Sequence, residues 1–344
     1  MKFVVGRPDG TEGPAGRLGH FLALDGSTGA PVGLDFDRPH AALVVGKRGY
    51  GKSFTLGVIA EELARSPPIA PVVVDPMGEY AGLAAGAEAS VLAEVIRNPT
   101  VAPTAVDPRS WPALVGLAPE SGPGGLVWRA AREGRTIEAM GRVIEASAAP
   151  AADERAAINH LELAASWGAF DPNGLDAAAL AGGAATVLDL SGLGRAPMNA
   201  VLRGVGETLY RARTEGTIDR LPWLLVDEAH AFFDGVAGET LGRLFTRGRT
   251  PGVSLVAATQ RPDAVPAVGL SQADVLVAHR LTAERDLTAL EAAQPTYAVD
   301  ALADRLPGEP GEAVLVDDAS ETVQTVRIRD RETPHGGESP RASE

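Results

Sequence analysis

A continuous apolar run, Ala41–Val45, leads into Gly46-Lys47-Arg48-Gly49-Tyr50-Gly51-Lys52-Ser53. Beyond it, Leu56, Ile59, Ala60 and Leu63 recur at helical spacing until Pro67-Pro68 stops the pattern. The eight residues fit G-x-x-x-x-G-K-[ST], and they stand between a strand and a helix, the context a phosphate-binding loop requires. The glycines let backbone N–H groups turn inward around an anion, Lys52 is placed to reach the outer phosphates, and the Ser53 hydroxyl is a Mg²⁺ ligand. A helix starting at Ser53 directs its positive end at the same anion. Gly46, Gly49, Tyr50, Gly51, Lys52, Ser53 and Phe54 are the residues expected to surround a nucleotide.

The rest of the chain alternates strand-like and helix-like stretches, which implies an α/β fold with a central, mostly parallel sheet. Val72–Asp75, Ala185–Leu190, Leu224–Val226, Val253–Ala258 and Asp274–Ala278 read as further buried strands, with helices over Met198–Arg213 and Glu239–Arg247. Residues 1–40 read as a short β-rich lead-in and 41–330 as the core. An Ala-rich helical insertion is expected over about 84–184, with helices near Ala89–Arg97, Leu126–Arg132, Thr136–Ala148 and Ala152–Trp167. Ala313–Val316 and Thr322–Ile328 suggest a terminal β-hairpin. The polar residues 331–344 are expected to form a mobile tail.

Leu224-Leu225-Val226-Asp227-Glu228 delivers two adjacent carboxylates to a strand's end. Beside a phosphate loop, Asp227 would hold the Mg²⁺ water shell and Glu228 would polarise an attacking water. The run Asp227-Glu228-Ala229-His230 spells a helicase signature, but the other motifs of that helicase series are not visible, and His230 is read as packing on the following turn. Gln260 ends the strand Leu255–Thr259, where it could sense the outer phosphate; a plain turn set by Pro262 is the alternative. Arg247 and Arg249, in Thr246-Arg247-Gly248-Arg249-Thr250-Pro251-Gly252, either stabilise charge at a neighbour's nucleotide or simply offset a helix dipole.

The chain has no cysteine, which excludes disulfides, thiol catalysis and Cys-ligated metals. No apolar stretch is long enough to span a membrane, and a cytoplasmic location is expected. The net charge of −14 argues against a surface that coats nucleic acid, though not against a basic channel inside a ring.

These motifs resemble the HerA-like branch of the HerA–FtsK superfamily of P-loop ATPases. The resemblance rests on Gly46–Ser53, Val74-Asp75-Pro76-Met77-Gly78-Glu79-Tyr80, the Asp227-Glu228 pair, Arg247–Val253 and Thr259-Gln260-Arg261-Pro262, in matching order across about 41–330. The D-P-x-G-E-Y element is its most discriminating part; a role for Glu79 near the nucleotide competes there with a plain Pro-Gly turn. The resemblance implies a RecA-like core, a homo-hexameric ring, ATP and Mg²⁺ between subunits, and DNA in the pore. It implies that Lys52 and Ser53 serve phosphate and metal, Asp227 the metal, Glu228 the catalytic base role and Gln260 the sensor role. Arg249 matches the family's arginine finger best, but the segment departs from the R-E-G-R-K pattern at three positions and Arg247 remains a rival. Thr333-Pro334-His335-Gly336-Gly337 is similar to the family's C-terminal segment. Full-length members carry an N-terminal β-barrel that docks a nuclease of the NurA type; forty residues ahead of the core are too few for one, so no partner nuclease is carried over. Two functions stay open: a motor that moves DNA through a ring, and an ATP-gated assembly module that switches partner contacts without moving DNA.

Overall fold

The computed structural model describes residues 3–8, 10–23, 25–85, 91–293, 297 and 305–336. Its strands are β1 (Phe3–Val5), β2 (Ala15–Leu22), β3 (Thr28–Asp35), β4 (Ala41–Val45), β5 (Ile69–Asp75), β6 (Ala93–Arg97), β7 (Ala185–Asp189), β8 (Leu221–Val226), β9 (Ser254–Thr259), β10 (Val275–Ala278), β11 (Glu312–Asp317) and β12 (Thr322–Ile328). All lie in one sheet of order β1-β3-β2-β12-β11-β10-β4-β9-β8-β5-β7-β6. From β10 to β6 every neighbouring pair is parallel. The hairpin β11–β12 joins β10 in antiparallel pairing.

The unbroken apolar runs follow from burial on both faces. Along β4, Leu43 and Val45 enter the core on one side of the sheet, while Ala42 and Val44 enter the core on the other. β8 divides the same way, with Leu224 and Val226 on one face and Trp223 and Leu225 on the opposite one. A strand with no solvated face has no polar positions to alternate.

Helices α1 (Lys52–Ala64), α2 (Trp111–Leu114), α3 (Gly122–Glu133), α4 (Ile137–Glu145), α5 (Ala151–Ser166), α6 (Ala177–Leu180), α7 (Arg195–Glu215), α8 (His230–Phe233), α9 (Gly238–Arg247), α10 (Ala267–Gln272) and α11 (Glu284–Ala293) complete the fold. α1 covers one face of the sheet, and α7 and α9 cover the other. α2 to α5 close around a separate small core that includes Trp111, Val127, Met140 and Leu161.

Three expectations change. Where a helix was expected over Ala89–Arg97, the described part forms β6, paired in register with β7 from Ala93↔Ala185 to Arg97↔Asp189. The window's apolar residues suit either period, and pairing with an otherwise open sheet edge decides for strand. The lead-in is no separate element, since β2 pairs with β12 and extends the same sheet. The tail expected to be mobile is docked as far as Gly336; Gly337 onward lies outside the described residues.

Charge buried against α1 anchors that tail. Glu61 is fully buried. Its carboxylate accepts from the Thr333 backbone N–H at 2.8 Å, the Thr333 hydroxyl at 2.7 Å and the Glu332 N–H at 3.0 Å, and pairs with Arg329 Nη1 at 2.7 Å. Arg331 lies beside it, with a side chain 2% exposed and Nε 3.8 Å from Glu61 Oε1. Its guanidinium occupies the space a side chain at Gly57 would fill, at 2.7 Å from an added Cβ. Removing one partner of a buried ionic cluster costs about 3–5 kcal/mol. Glu61→Ala should therefore lower the denaturant midpoint markedly; a midpoint equal to wild type would show that the docked tail contributes nothing to stability.

Candidate nucleotide-binding site

The β4–α1 loop opens at the carboxyl end of the parallel strands. Gly46, Gly49 and Gly51 have φ of 155°, 83° and 110°, a region open to glycine and costly for other residues. The loop also has no room for side chains at two of these points. An added Cβ would come within 2.6 Å of His279 Cβ at Gly46 and 3.2 Å of His279 Cε1 at Gly51. His279, at the end of β10, is buried and held on both ring nitrogens, by Thr55 Oγ1 at 2.9 Å and the Glu312 carbonyl at 2.7 Å. Burial pushes its pKa down to about 4, so the imidazole behind the loop is neutral.

Lys52 is 5% exposed. Burial lowers the pKa of its ammonium, and the fields of Glu228, Asp227 and Glu79 oppose that shift. Glu228 follows β8 with φ of 46°, a left-handed conformation uncommon for a non-glycine residue. Its pKa is raised by burial and then by the adjacent Asp227 carboxylate. Gln260 Nε2, at the end of β9, donates to Glu228 Oε2 at 3.3 Å, and His230 Nδ1 stands 3.2 Å from the same oxygen. His230 is therefore part of the carboxylate's surroundings and not merely packing on a turn. A buried strand end followed by a one-turn helix places it there, which motif spacing alone does not reveal.

Asp227 is buried directly behind. Its Oδ1 accepts from the Glu228 N–H at 2.8 Å, and Oδ2 accepts from the Tyr80 hydroxyl at 2.7 Å. Tyr80 is delivered by the turn after β5. There Asp75 Oδ1 accepts from the N–H groups of Met77, Gly78 and Glu79 at 3.2, 2.7 and 3.1 Å, and Oδ2 from that of Tyr80 at 2.9 Å. One carboxylate thus folds the whole D-P-M-G-E-Y segment. The Tyr80 hydroxyl also lies 3.2 Å from the Ser53 carbonyl oxygen, which ties the turn to the loop.

Gly49, Gly51, Lys52, Ser53, Phe54, Glu79, Glu228, His230 and Gln260 line one cleft of about 790 Å³, in the size range of ligand sites. Two expected residues stand apart from its wall. Gly46 is buried against His279, and the Tyr50 ring lies between Lys47 Nζ at 4.6 Å and Arg280 at 5.7 Å.

Arg249 is elsewhere. It precedes β9, at the opposite end of the strand from Gln260, so roughly 20 Å of strand separates it from the cleft at about 3.3 Å per residue. Its Nη1 lies 3.3 Å from Asp274 Oδ2. Arg247 is exposed at the end of α9. Neither arginine touches the cleft of its own subunit.

Residues 17–118 match the sequence family described as the central domain of helicase HerA. No curated protein sequence matches the chain. Among solved structures, VirB4 of Thermoanaerobacter pseudethanolicus superposes with a TM-score of 0.68 at 18% identity, covering 94% of this chain and 98% of that one. A bacterial conjugative coupling protein, TrwBdeltaN70, superposes with a TM-score of 0.57 at 14% identity, covering 92% of this chain and 90% of that one. At such identities the likeness is one of fold. Fold and loop together define a P-loop ATPase. Over residues 17–118 the chain is similar to the central domain of helicase HerA.

His40 sits beneath Arg249's partner. It is buried between Asp274, 3.1 Å from Nδ1, and Asp35, 3.6 Å from Nε2. Burial alone would lower its pKa, but bonding to the two carboxylates carries it up to about 9. The stability this provides is fully present below the unfolded value of 6.5 and is lost as pH rises through about 9. Unfolding midpoints should fall across that window in wild type and fall less in His40→Gln. Parallel pH profiles for the two proteins would show that the imidazole is not charged in the fold.

Proposed function

We propose that this chain hydrolyses ATP as one subunit of a homo-hexameric ring and uses the cycle to move DNA through the pore. The observation that carries the reading is the split placement of its chemistry. Lys52, Ser53, Asp227, Glu228 and Gln260 converge at the carboxyl end of the sheet, while Arg249 stands at the amino end, beyond reach of its own cleft. An arginine so placed, if it serves a nucleotide at all, serves a neighbour's, as closure of a ring would supply.

In this reading the loop N–H groups and Lys52 hold the β- and γ-phosphates. Glu228, with a raised pKa and a bond from Gln260, orients and polarises the attacking water. Gln260 links the γ-phosphate position to β9. Asp227 and the Ser53 hydroxyl fit Mg²⁺, whose oxygen ligands come partly from the phosphates and water. When bound, Mg²⁺ supplies neutralising charge between the phosphates. Lys52, Arg48 and Arg327 line the cleft with Glu79 and Glu228, and a bound divalent cation would add to the positive charge that a triphosphate needs there.

The match to the helicase HerA central domain supports DNA as the track, and the net charge of −14 confines DNA contacts to a few arginines repeated by symmetry. The same charge favours the second reading, an ATP-gated switch of partner contacts. Hydrolysis measured with and without duplex DNA, over a range of salt, separates the two. The motor predicts stimulation that fades steeply with salt; a rate indifferent to DNA at every salt concentration would leave the switch. Glu228→Gln should keep ATP binding while turnover drops about 10²–10⁴-fold, the usual contribution of a positioned base. Wild-type turnover in that variant would remove Glu228 from the mechanism.

A further inference from the structure

The cleft has a second half that the phosphate chemistry does not use. The sheet order places β9 and β8 on one side of the loop strand β4, and β10, β11 and β12 on the other. Glu228, His230 and Gln260 all stand on the β8–β9 side. On the far side the lining includes Pro310, Gly311, Arg327, Ile328 and Asp330, and the chain that follows crosses α1 to the β5 turn and brings His335 into the same cleft against Phe54. Gly311 and Ile328 reach the same end of the sheet because β11 runs antiparallel to β10 and β12 returns antiparallel to β11, so the start of one strand and the end of the other meet there, with the Ile328 N–H donating to the Gly311 carbonyl at 2.9 Å. A triphosphate fixed by Lys52, with its outer phosphate toward Glu228, must extend its nucleoside over this second wall.

That wall is built by the docked tail. Beyond Thr333, which is locked to Glu61, Pro334 passes so close to Gly82 that its carbonyl oxygen would lie 2.0 Å from an added Cβ. The Gly336 N–H then donates to the Glu79 carbonyl at 3.2 Å. Between these two fixed points His335 is set edge-on to Phe54, with ring centroids 6.0 Å apart and planes at 79°. Arg331 Nη1, itself buried over the Tyr80 ring, lies 3.0 Å from His335 Nδ1. Two ring systems at right angles form an apolar corner, and the exposed Asp330 carboxylate beside them is a hydrogen-bond acceptor.

We propose that residues 328–336 form a strap that holds the ribose and base of the nucleotide, with the Phe54–His335 corner as the stacking surface and Asp330 as the acceptor for ribose hydroxyls or an exocyclic amine. This rests on the nucleotide-binding reading of the loop and assigns the part of the ligand that the loop does not touch. Aromatic surfaces and the Asp330 carboxylate suit a heterocycle that carries N–H donors, while Arg327, which lines the same wall, is ion-paired with Glu312 at 2.6 Å. The strap also contacts Glu79, next to Tyr80 and so to Asp227, which joins base occupancy to the hydrolytic side through two residues of one turn.

The test compares ATP with inorganic tripolyphosphate, which shares the phosphates and lacks the nucleoside. Equilibrium affinities are measured, each with Mg²⁺, for the full chain and for an Asp330→Ala, His335→Ala double variant; both side chains are exposed, so the core is untouched. Wild type should bind ATP at least tenfold more tightly than tripolyphosphate. In the double variant the affinity for ATP should fall toward that for tripolyphosphate, which itself stays unchanged. Asp330→Asn, a near-isosteric change, should retain part of the difference. Equal ATP affinity in wild type and double variant, or equal binding of the two ligands by wild type, overturns the strap while leaving the loop assignment standing. Failure of wild type to bind either ligand overturns the nucleotide reading and the strap with it. Lys52→Ala should weaken both ligands alike, which marks the loop's share of the binding.

Discussion

A buried ammonium facing three carboxylates is the constraint around which this molecule is arranged. Lys52 loses most of its hydration, and only the nearby charges of Glu228, Asp227 and Glu79 keep its protonated form accessible. Those carboxylates are brought in by two devices. β8 delivers Asp227 and Glu228 from a strand with no solvated face. The Asp75 cap winds the turn that carries Glu79 and Tyr80. The loop itself is held from behind by a neutral histidine that allows no side chain at Gly46. Paired burial of this kind is seldom a net source of stability. It makes physical sense as preorganisation for a polyanion that completes the charge balance.

The same logic recurs away from the cleft. Arg7, Asp35, His40, Asp274 and Arg249 form a chain of alternating charge along the amino end of the sheet, and it ends at the arginine assigned to a neighbour's nucleotide. Glu61, in the last turn of α1, gathers the tail against that helix. The tail, the β5 turn and the Asp227 carboxylate are thereby one connected set. The charged chain at the amino end of the sheet is a separate set, built from its own ion pairs.

Much of this was legible in the sequence, and the residues show why. Val44, Val226 and Ala258 sit in runs that can be nothing but doubly covered strands, and the glycine spacing from 46 to 51 admits little besides an anion loop. The adjacent Asp227 and Glu228 then follow from position. What stayed hidden depends on contacts between distant segments. Val95 and Ile96 fit a helix or a strand until the open edge of β7 selects one. The polar tail looked mobile because nothing local reveals that Glu61, some 270 residues earlier, is buried with no other use for its charge. His230 was read as packing because the approach of its ring to Glu228 is set by the β8–α8 turn, which no spacing rule describes.

The central claim is that each active site is shared by two subunits, with the phosphate loop from one and Arg249 from the other. Mixing Lys52→Ala and Arg249→Ala proteins tests it most directly, because the account predicts that each is inactive alone for a different reason. Co-assembled mixtures should recover ATP hydrolysis at interfaces that join an intact loop to an intact arginine. Mixed rings of demonstrated composition that remain inactive would contradict the account.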